Sequence, residues 1–270
     1  MLSKHRLRRL LGFPVRWYYG DRTISVAGEA GVKLHFKPAE SPRLLKGPQR
    51  LEAETRRQWA MLLKPGDSII DCGAHIGITT QRFYGILQGK CQIWSIEPNP
   101  RTFALLEQNT CELKPQVQIF SFAVGDKQGE VTFSDNLKHG ALSRMVHLRG
   151  GARETSGYWD ESNDVTVPMQ TLDWLIEEHS ECQPSFLKID VEGAGDLLMA
   201  GAKKLLAQYK PVCYAEYHTR KEIDAICGGL AELGYRGVRF DGSRRPHWAD
   251  PESEPLYFVH PEHEAAKVVA

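Results

Sequence analysis

The stretch Asp71-Cys72-Gly73-Ala74-His75-Ile76-Gly77 decides the fold of this chain. An apolar run at Ser68 to Cys72 leads into it, a helical pattern near Ile78 to Leu87 follows it, and a second apolar run spans Cys91 to Ile96. Its two glycines let the backbone turn sharply and let a ligand approach within a distance that a Cβ would prevent. This order of strand, glycine loop, helix and strand is typical of a βαβ unit.

The spacing of the glycines narrows the class of ligand. A dinucleotide fingerprint beginning at Gly73 would need glycines at His75 and Ile78, and the loop has no Walker lysine. The loop therefore lacks a pyrophosphate cradle. For this loop alone, a turn that merely connects strand and helix is the alternative interpretation.

Strand and helix patterns continue to alternate along the chain. They predict helices at Leu51 to Leu63, Arg101 to Leu113, Asp196 to Gln208 and Lys221 to Leu233, and strands at Val117 to Ala123, Phe186 to Asp190 and Val212 to Glu216. Gly237 to Phe240 and Leu256 to Val259 are predicted to form a terminal antiparallel pair. The sequence thus predicts an α/β, Rossmann-like, doubly wound and mostly parallel seven-stranded sheet with an antiparallel final strand.

Two regions fall outside this alternation. Val15 to Tyr19 with Thr23 to Val26, and then Val32 to Phe36, are β-rich and predict a small hairpin region. We therefore divide the chain into an N-terminal extension, residues 1–50, and a main domain, residues 51–270. Residues 136–163, before a strand at Asp164 to Met169, form a long insertion that is either a substrate lid or a surface loop.

Composition limits the partners. Lys plus Arg equal Asp plus Glu at 34 each, so no global field favours a polyanion, and we expect no nucleic-acid partner. No apolar window approaches the roughly 20 residues of a membrane span. The basic residues Lys4, Arg6, Arg8 and Arg9 allow weak contact with a membrane surface, although a solvated, frayed helix explains them better.

The cysteines indicate the compartment. The chain has 6 cysteines without a C-x-x-C pair, and several lie inside apolar runs. This pattern favours reduced, buried thiols in a cytoplasmic protein.

Glu97 strengthens the case for a bound nucleoside. It ends the second strand of the βαβ unit, and a carboxylate in that place can accept hydrogen bonds from both hydroxyls of a ribose. An exposed glutamate at a strand end is common on its own, but its separation from the glycine loop makes ligand binding the stronger interpretation. At the next strand end, Phe122 and Ala123 can face an adenine ring, and core packing explains the phenylalanine equally well.

From Leu51 to Val259 the chain resembles the FkbM family of class I methyltransferases. The residues that carry the resemblance are Lys64-Pro65-Gly66-Asp67, the glycine loop, Ile96-Glu97-Pro98-Asn99-Pro100, Ala123-Val124-Gly125-Asp126, Thr171-Leu172-Asp173 and Leu187-Lys188-Ile189-Asp190-Val191-Glu192-Gly193. The last segment is the most discriminating. Two departures stand out, because His75 replaces the usual Asn and Gly195 replaces the usual Glu.

The resemblance implies S-adenosylmethionine as cofactor and methyl transfer, in the EC 2.1.1 class, to a hydroxyl of a sugar, glycan or specialised metabolite. The residues that would bind the cofactor are Asp71, Gly73, Ala74, His75, Gly77, Glu97, Pro98, Asn99, Phe122, Ala123 and Asp190.

Four residues at the ends of two later strands are candidates for catalysis: Asp190, Glu192, Glu216 and His218. A hydroxyl is a poor nucleophile at neutral pH, so a base or a metal must take its proton. His218 has the ordinary pKa suited to a base. The same side chains can supply metal ligands, but their spacing specifies none, so we assign no metal; solvated strand ends or helix caps are the plainer alternatives.

Two other functions compete with this one. A methyltransferase acting on RNA or protein nitrogen usually carries an Asn-Pro-Pro-Tyr type of loop, and Ile189-Asp190-Val191-Glu192-Gly193 takes its place here. A non-catalytic cofactor-binding module is the other rival, because a fold does not fix a function. Several rings and imidazoles are further candidates for contact with the acceptor: His139, His147, Tyr158, Trp159, His247 and Trp248.

Overall fold

The computed structural model describes residues 15, 17–134, 144–145, 164–240, 245–249 and 256–269. The predicted insertion therefore lies outside the described residues except for one short strand, and so do the basic residues at the start of the chain. His139, His147, Tyr158 and Trp159 also lie outside them.

The main sheet has eight strands rather than the seven predicted. In chain order they are β3 (Ser68–Cys72), β4 (Gln92–Ile96), β5 (Val117–Phe120), β10 (Phe186–Ile189), β11 (Val212–Ala215), β12 (Arg236–Phe240), β13 (Pro246–Trp248) and β14 (Tyr257–Val259). Their spatial order is β13-β12-β14-β11-β10-β3-β4-β5. The five from β11 to β5 are parallel, and the last three strands of the chain pair antiparallel. This confirms the predicted Rossmann-like sheet; β13 is the extra edge strand.

Two smaller sheets complete the strands. β1 (Ile24–Ala27) and β2 (Lys33–Phe36) form the predicted hairpin. A second sheet, of order β6-β9-β7-β8, contains β6 (Ala123–Val124), β7 (Gly129–Ser134), β8 (Arg144–Met145) and β9 (Asp164–Gln170). The predicted single strand from Val117 to Ala123 is therefore wrong, because the chain leaves the main sheet after Phe120 and enters this one.

The helices follow the predicted alternation. They are α1 (Ala53–Leu62), α2 (Ile78–Ile86), α3 (Pro100–Thr110), α4 (Leu172–Glu178), α5 (Gly195–Ala200), α6 (Lys203–Tyr209) and α7 (Arg220–Glu232). The predicted helix from Asp196 to Gln208 is two helices, because the chain turns at Gly201. The backbone there passes so close to another loop that a Cβ would lie 2.0 Å from the carbonyl oxygen of Gly125.

The aromatic run before the hairpin was also predicted wrongly as β. Residues 15 and 17–19 are helical, and Trp17 and Tyr18 are 83% and 69% exposed. Aromatic and β-branched residues favour a strand only where a neighbouring strand covers them.

The core fills both faces of the main sheet. Successive residues of a strand point to opposite faces, so Ile69 packs in one buried cluster with Phe186 while Ile70 packs in another with Leu187. The hairpin adds a smaller cluster in which Leu34 and Phe36 pack with Ile76 of the glycine loop. Within the described ranges, none of the helices combines the length and apolar character that a bilayer span requires.

Candidate active site

Three neighbouring strands end at the same edge of the main sheet. β4, β3 and β10 lie side by side and parallel, so Glu97, Gly73 and Asp190 meet at their carboxyl ends, which is where doubly wound folds bind ligands. All three line one cavity of about 240 Å³. The structure thus brings the glycine loop and the strand-end carboxylates to a common hollow.

The loop keeps its shape through its two glycines. Gly73 has φ of 76°, and a Cβ there would lie 1.8 Å from the carbonyl oxygen of Asp190. Gly77 has φ of 87° and precedes the first residue of α2. Side chains at these positions would separate β3 from β10 or strain the turn.

Glu97 is buried and fixed at the cavity wall. Its Oε2 accepts a hydrogen bond from the backbone N–H of His75 at 2.9 Å, and its Oε1 accepts from the N–H of Asn99 at 3.0 Å and the hydroxyl of Thr102 at 3.2 Å. Burial raises the pKa of Glu97 to about 7, against the two N–H groups, which lower it. Oε1 thus accepts two hydrogen bonds, and Oε2 keeps capacity for a further donor, such as a ribose hydroxyl.

His75 lines the same cavity and has a buried ring nitrogen without a partner in the described part of the chain. Its φ is 50°, and among the described residues its Nε2 has no hydrogen-bond partner. Burial lowers the pKa of His75 to about 4, so the imidazole is neutral at pH 7. An orphaned buried nitrogen in a cavity wall fits a site that a polar ligand completes.

Lys188 ties the loop to the end of β10. Its buried ammonium lies 3.1 Å from the carbonyl oxygen of Gly73, 3.4 Å from that of Cys72, 3.2 Å from Asp190 Oδ2 and 3.3 Å from Asp71 Oδ1. Burial opposes the charge, but the two carboxylates outweigh it and raise the pKa of Lys188. Asp71 itself is fully buried beneath the cavity and accepts a hydrogen bond from Thr80.

His218 lies between two carboxylates. Its Nε2 is 3.0 Å from Asp190 Oδ1, and its Nδ1 is 3.5 Å from Glu192 Oε2. The hydrogen bond with Asp190 is the main reason that the pKa of His218 rises to about 9. Burial opposes the charge on Asp190, but Lys188 and His218 hold the pKa of that carboxyl well below its ordinary value.

Either a bound cation or a proton on His218 can balance the negative charges of this triangle of side chains. Asp190, Glu192 and His218 each offer one ligand atom, and these atoms lie within 4.8 Å of one another, a spacing that a cation can bridge. A proton on His218 also satisfies both carboxylates, and the raised pKa favours that state at pH 7.

Glu216 is the fourth catalytic candidate and lies further back. Its Oε1 accepts a hydrogen bond from the hydroxyl of Tyr214 at 3.1 Å. Burial, with a smaller effect from Asp190, raises its pKa. Glu216 and His218 do not themselves line the cavity; His218 reaches it through Asp190 and Glu192.

The predicted site residues divide into two groups. Those that line the cavity are Gly73, Ala74, His75, Glu97, Pro98, Ala123, Asp190 and Glu192. Outside its lining lie Asp71, Gly77, Asn99, Phe122, Glu216 and His218. In this second group, Asp71 pairs with Lys188, and the backbone N–H of Asn99 binds Glu97. Both Lys188 and Glu97 line the cavity.

Sequence reasoning missed several residues of the wall. They are Leu51, Glu52, Ile78, Thr79, Ile96, Val124, Lys188, Val191 and Ala194. Lys188 carried a usable signal, since a lysine inside a four-residue strand that is otherwise apolar must have buried partners. No sequence pattern pointed to Glu52, because helix α1 separates it from the first strand of the main sheet. Trp248 lies on the edge strand β13 under Arg236, away from this wall.

Comparison with known proteins gives a family match and several structural similarities. Residues 71–236, more than half of the chain, match the model described as the methyltransferase FkbM domain. No curated protein matches the chain. Among solved structures, the chain is similar to a methyltransferase FkbM from Methylobacillus flagellatus, at 16% identity and a TM-score of 0.49, over 73% of this chain but only 44% of that one.

The chain is also similar to two further solved structures. One is an S-adenosylmethionine-dependent O-methyltransferase from Thermotoga maritima, at 14% identity and a TM-score of 0.39, over 88% of this chain and 76% of that one. The other is an Aeropyrum pernix fibrillarin with natively bound S-adenosyl-L-methionine, at 12% identity and a TM-score of 0.38, over 89% and 82%.

Proposed function

The chain belongs to the FkbM methyltransferase family, and from that premise we propose that it is an S-adenosylmethionine-dependent O-methyltransferase acting on a hydroxyl of a sugar, glycan or specialised metabolite. The single observation that carries the hydroxyl assignment is the imidazole of His218 held between Asp190 and Glu192 beside the cavity. A nitrogen acceptor that is already unprotonated attacks through its lone pair without a base, whereas a hydroxyl needs a base to take its proton.

The residues of the cavity fit the cofactor. Glu97 would bind the ribose hydroxyls, and the neutral Nε2 of His75 would find in the cofactor the partner that the protein does not give it. Asp190, which follows β10, would face the positively charged half of the cofactor. When bound, S-adenosylmethionine supplies a methyl group whose bond to sulfur breaks as a bond to the acceptor oxygen forms.

The protein contributes position, exclusion of water and proton transfer. Lys188 holds Gly73 and Asp190 together, so the two sides of the cavity keep their separation. Asp190 and Glu192, which line the cavity, orient the imidazole of His218, and the proton of the acceptor hydroxyl would pass through one of these carboxylates to the neutral imidazole. Alignment in a partly closed cavity supplies much of the remaining acceleration.

Calorimetry with S-adenosylhomocysteine tests the cofactor assignment. We expect binding to the wild-type protein, and we expect Glu97→Ala to weaken it by about 1–3 kcal/mol, as for the loss of a charged hydrogen-bond partner. Glu107→Ala, an exposed change on the neighbouring helix, is the matched control and should leave the affinity unchanged. Equal affinities in all three proteins would remove Glu97 from the site.

A labelled-methyl transfer assay separates this function from its rivals. We expect transfer to hydroxylated small molecules or glycans. Transfer to RNA or to protein nitrogen instead would replace the proposal with the first rival. Cofactor binding without transfer to any hydroxylated acceptor would favour a non-catalytic module.

A further inference from the structure

Glu52 reaches the cavity from outside the main sheet. Both it and Leu51 line the wall, although they lie in the chain before β3. Glu52 has φ of 50° and immediately precedes α1. The left-handed backbone at a non-glycine residue indicates that surrounding contacts hold this turn in place.

Arg82 supplies those contacts. Its side chain is fully buried, and its Nη1 donates to Glu52 Oε2 at 2.9 Å. Its Nη2 donates to the carbonyl oxygens of Leu51 at 3.0 Å and Pro48 at 3.3 Å, and its Nε lies 3.3 Å from Glu29 Oε1. A guanidinium of α2 therefore fixes both the backbone and the carboxylate of the segment that forms this wall.

The helix that Glu52 precedes packs against β11, the strand after which Glu216 and His218 follow. Trp59 of α1 packs edge-on against Tyr214, with ring centroids 5.2 Å apart, so α1 covers the end of β11. Tyr214 in turn binds Glu216. In agreement with this placement, the charge on Glu52 is among the influences that raise the pKa of Glu216, after burial and Asp190.

Carboxylates outnumber cations at this end of the site. Glu52, Asp190 and Glu192 line the cavity, and Glu216 lies outside its lining. Among the described residues the nearby cations are three: Arg82 pairs with Glu52 and Glu29, and Lys188 and His218 are engaged by Asp190. An anionic acceptor entering here would lose its hydration and meet like charges.

We propose that Glu52, fixed by Arg82, is an acceptor-specificity residue that restricts this site to acceptors without negative charge, namely uncharged polyhydroxyl compounds such as non-phosphorylated glycosides. The proposal rests on the proposed methyltransferase function, since it assigns a selectivity to the same cavity. Glu52 repels phosphorylated and carboxylated competitors and offers its carboxylate oxygens to hydroxyl donors.

Sinefungin measures the charge at the acceptor end without a known acceptor. In this analogue of the cofactor, a CH–NH3+ group replaces the methyl-bearing sulfur. The ratio of the affinity for sinefungin to the affinity for S-adenosylhomocysteine therefore reports the electrostatic potential where the methyl group would lie. We expect the wild-type protein to prefer sinefungin, and Glu52→Gln to reduce that preference about threefold to tenfold. Glu54→Gln, with the same charge change two residues away and outside the cavity wall, should leave the ratio within about twofold.

The two ligands keep the two hypotheses apart. If S-adenosylhomocysteine does not bind, the proposed function fails and the specificity proposal fails with it. If it binds but Glu52→Gln leaves the ratio unchanged while the variant melts like the wild type, the specificity proposal alone is overturned. Glutamine keeps an oxygen for Arg82, so the wall should remain folded.

Paired acceptors give a second measurement. Labelled-methyl transfer is compared between methyl glucoside and methyl glucuronide, and between glucose and glucose 6-phosphate. We expect no faster transfer to the anionic member of either pair, and Glu52→Gln should narrow any difference. Faster wild-type transfer to an anionic member would overturn the proposal. The affinity ratio decides it even when none of these sugars is methylated.

Discussion

His218 lies between two carboxylates that raise its pKa, so its imidazole becomes a free base only at a higher pH. At pH 7 the imidazole carries a proton, because Asp190, Glu192 and, to a smaller extent, Glu222 raise its pKa to about 9. Burial acts in the opposite direction but is outweighed. A residue chosen for an ordinary pKa near neutrality is therefore in its basic form only in alkaline solution.

This predicts an alkaline rate profile. Because the reaction needs neutral His218, kcat should rise about tenfold per pH unit and level off near pH 9. Asp190→Asn should move the midpoint toward the ordinary value for histidine, since its hydrogen bond is the largest cause of the shift, and Glu192→Gln should move it less. Steady-state rates between pH 6 and pH 10 measure this; a flat profile with the same acceptor would exclude His218 as the base.

The strand-end acids could be predicted as site residues from the sequence, but their network could not. Asp190 and Glu97 follow apolar strands, and parallel strands end at one edge, so their convergence follows from the topology. The sequence does not show that Lys188 binds the carbonyl oxygens of Cys72 and Gly73, because that depends on strand order. For the site residues as a whole, binding and catalysis stay predictions.

At the scale of elements, Glu222 of α7 joins two loops of the site. Its Oε1 accepts from the N–H groups of Gly193 and Gly195, and its Oε2 accepts from those of His218 and Thr219. Gly195 stands where the family resemblance predicts Glu, and a Cβ there would lie 2.7 Å from Ile226 Cδ1 and 3.2 Å from Glu222 Cγ. A carboxylate from the helix therefore occupies the space beside this glycine.

We predict that Glu222→Gln destabilises the protein by about 1–3 kcal/mol, because an amide nitrogen would face N–H donors that then lose their acceptor. Urea unfolding measures the loss. The exposed Glu232→Gln, at the other end of α7, should change the free energy of unfolding by less than about 0.5 kcal/mol. Since Glu222 also binds the N–H of His218, kcat should fall more than the affinity for S-adenosylhomocysteine. Equal stability of the two variants would contradict this role.

Element boundaries were predictable where the local pattern is strong. The strand Ser68–Cys72 has the predicted bounds, and α2 and α7 begin or end within a residue of prediction. Prediction failed where tertiary contacts decide, as at Gly201, whose approach to another loop splits one helical pattern into two. It also failed for β13, a three-residue strand too short to show periodicity.

Across the whole molecule, Arg82 joins the start of the chain to the main sheet. It is fully buried and contacts Glu29, Glu52 and the backbone of residues 48 and 51 from its place in α2. Glu29 is itself 4% exposed, and its other cationic partner is Arg56, at 3.4 Å from Oε2, so without Arg82 one oxygen of this poorly solvated carboxylate would lose its partner. The division at residue 50 remains our proposal, and this contact crosses it.

We predict that Arg82→Met lowers the free energy of unfolding by about 3–5 kcal/mol, as expected when one member of a buried ion pair is removed. Denaturant titration followed by circular dichroism measures the change. Arg57→Met, which removes an exposed pair with Glu54, is the control and should cost no more than about 1 kcal/mol. A loss of stability as small as that of the control would show that the fold of residues 48–52 does not depend on Arg82.

The cytoplasmic location stays a prediction from the cysteine pattern. All six cysteines are free, and four of them are buried. Burial raises the pKa of Cys182 to about 12, so its thiol stays protonated and weakly reactive.

The wall formed by Leu51 and Glu52 has a consequence for engineering. These residues lie outside the main sheet, whereas Asp190 and Glu97 directly follow β10 and β4 and their backbone N–H groups continue the pairing of the sheet. With Glu52 as the acceptor-specificity residue that we propose, acceptor recognition could be changed by mutation separately from donor recognition. A directed-evolution library for new methylation products should begin with residues 48–52 and keep Arg82 constant.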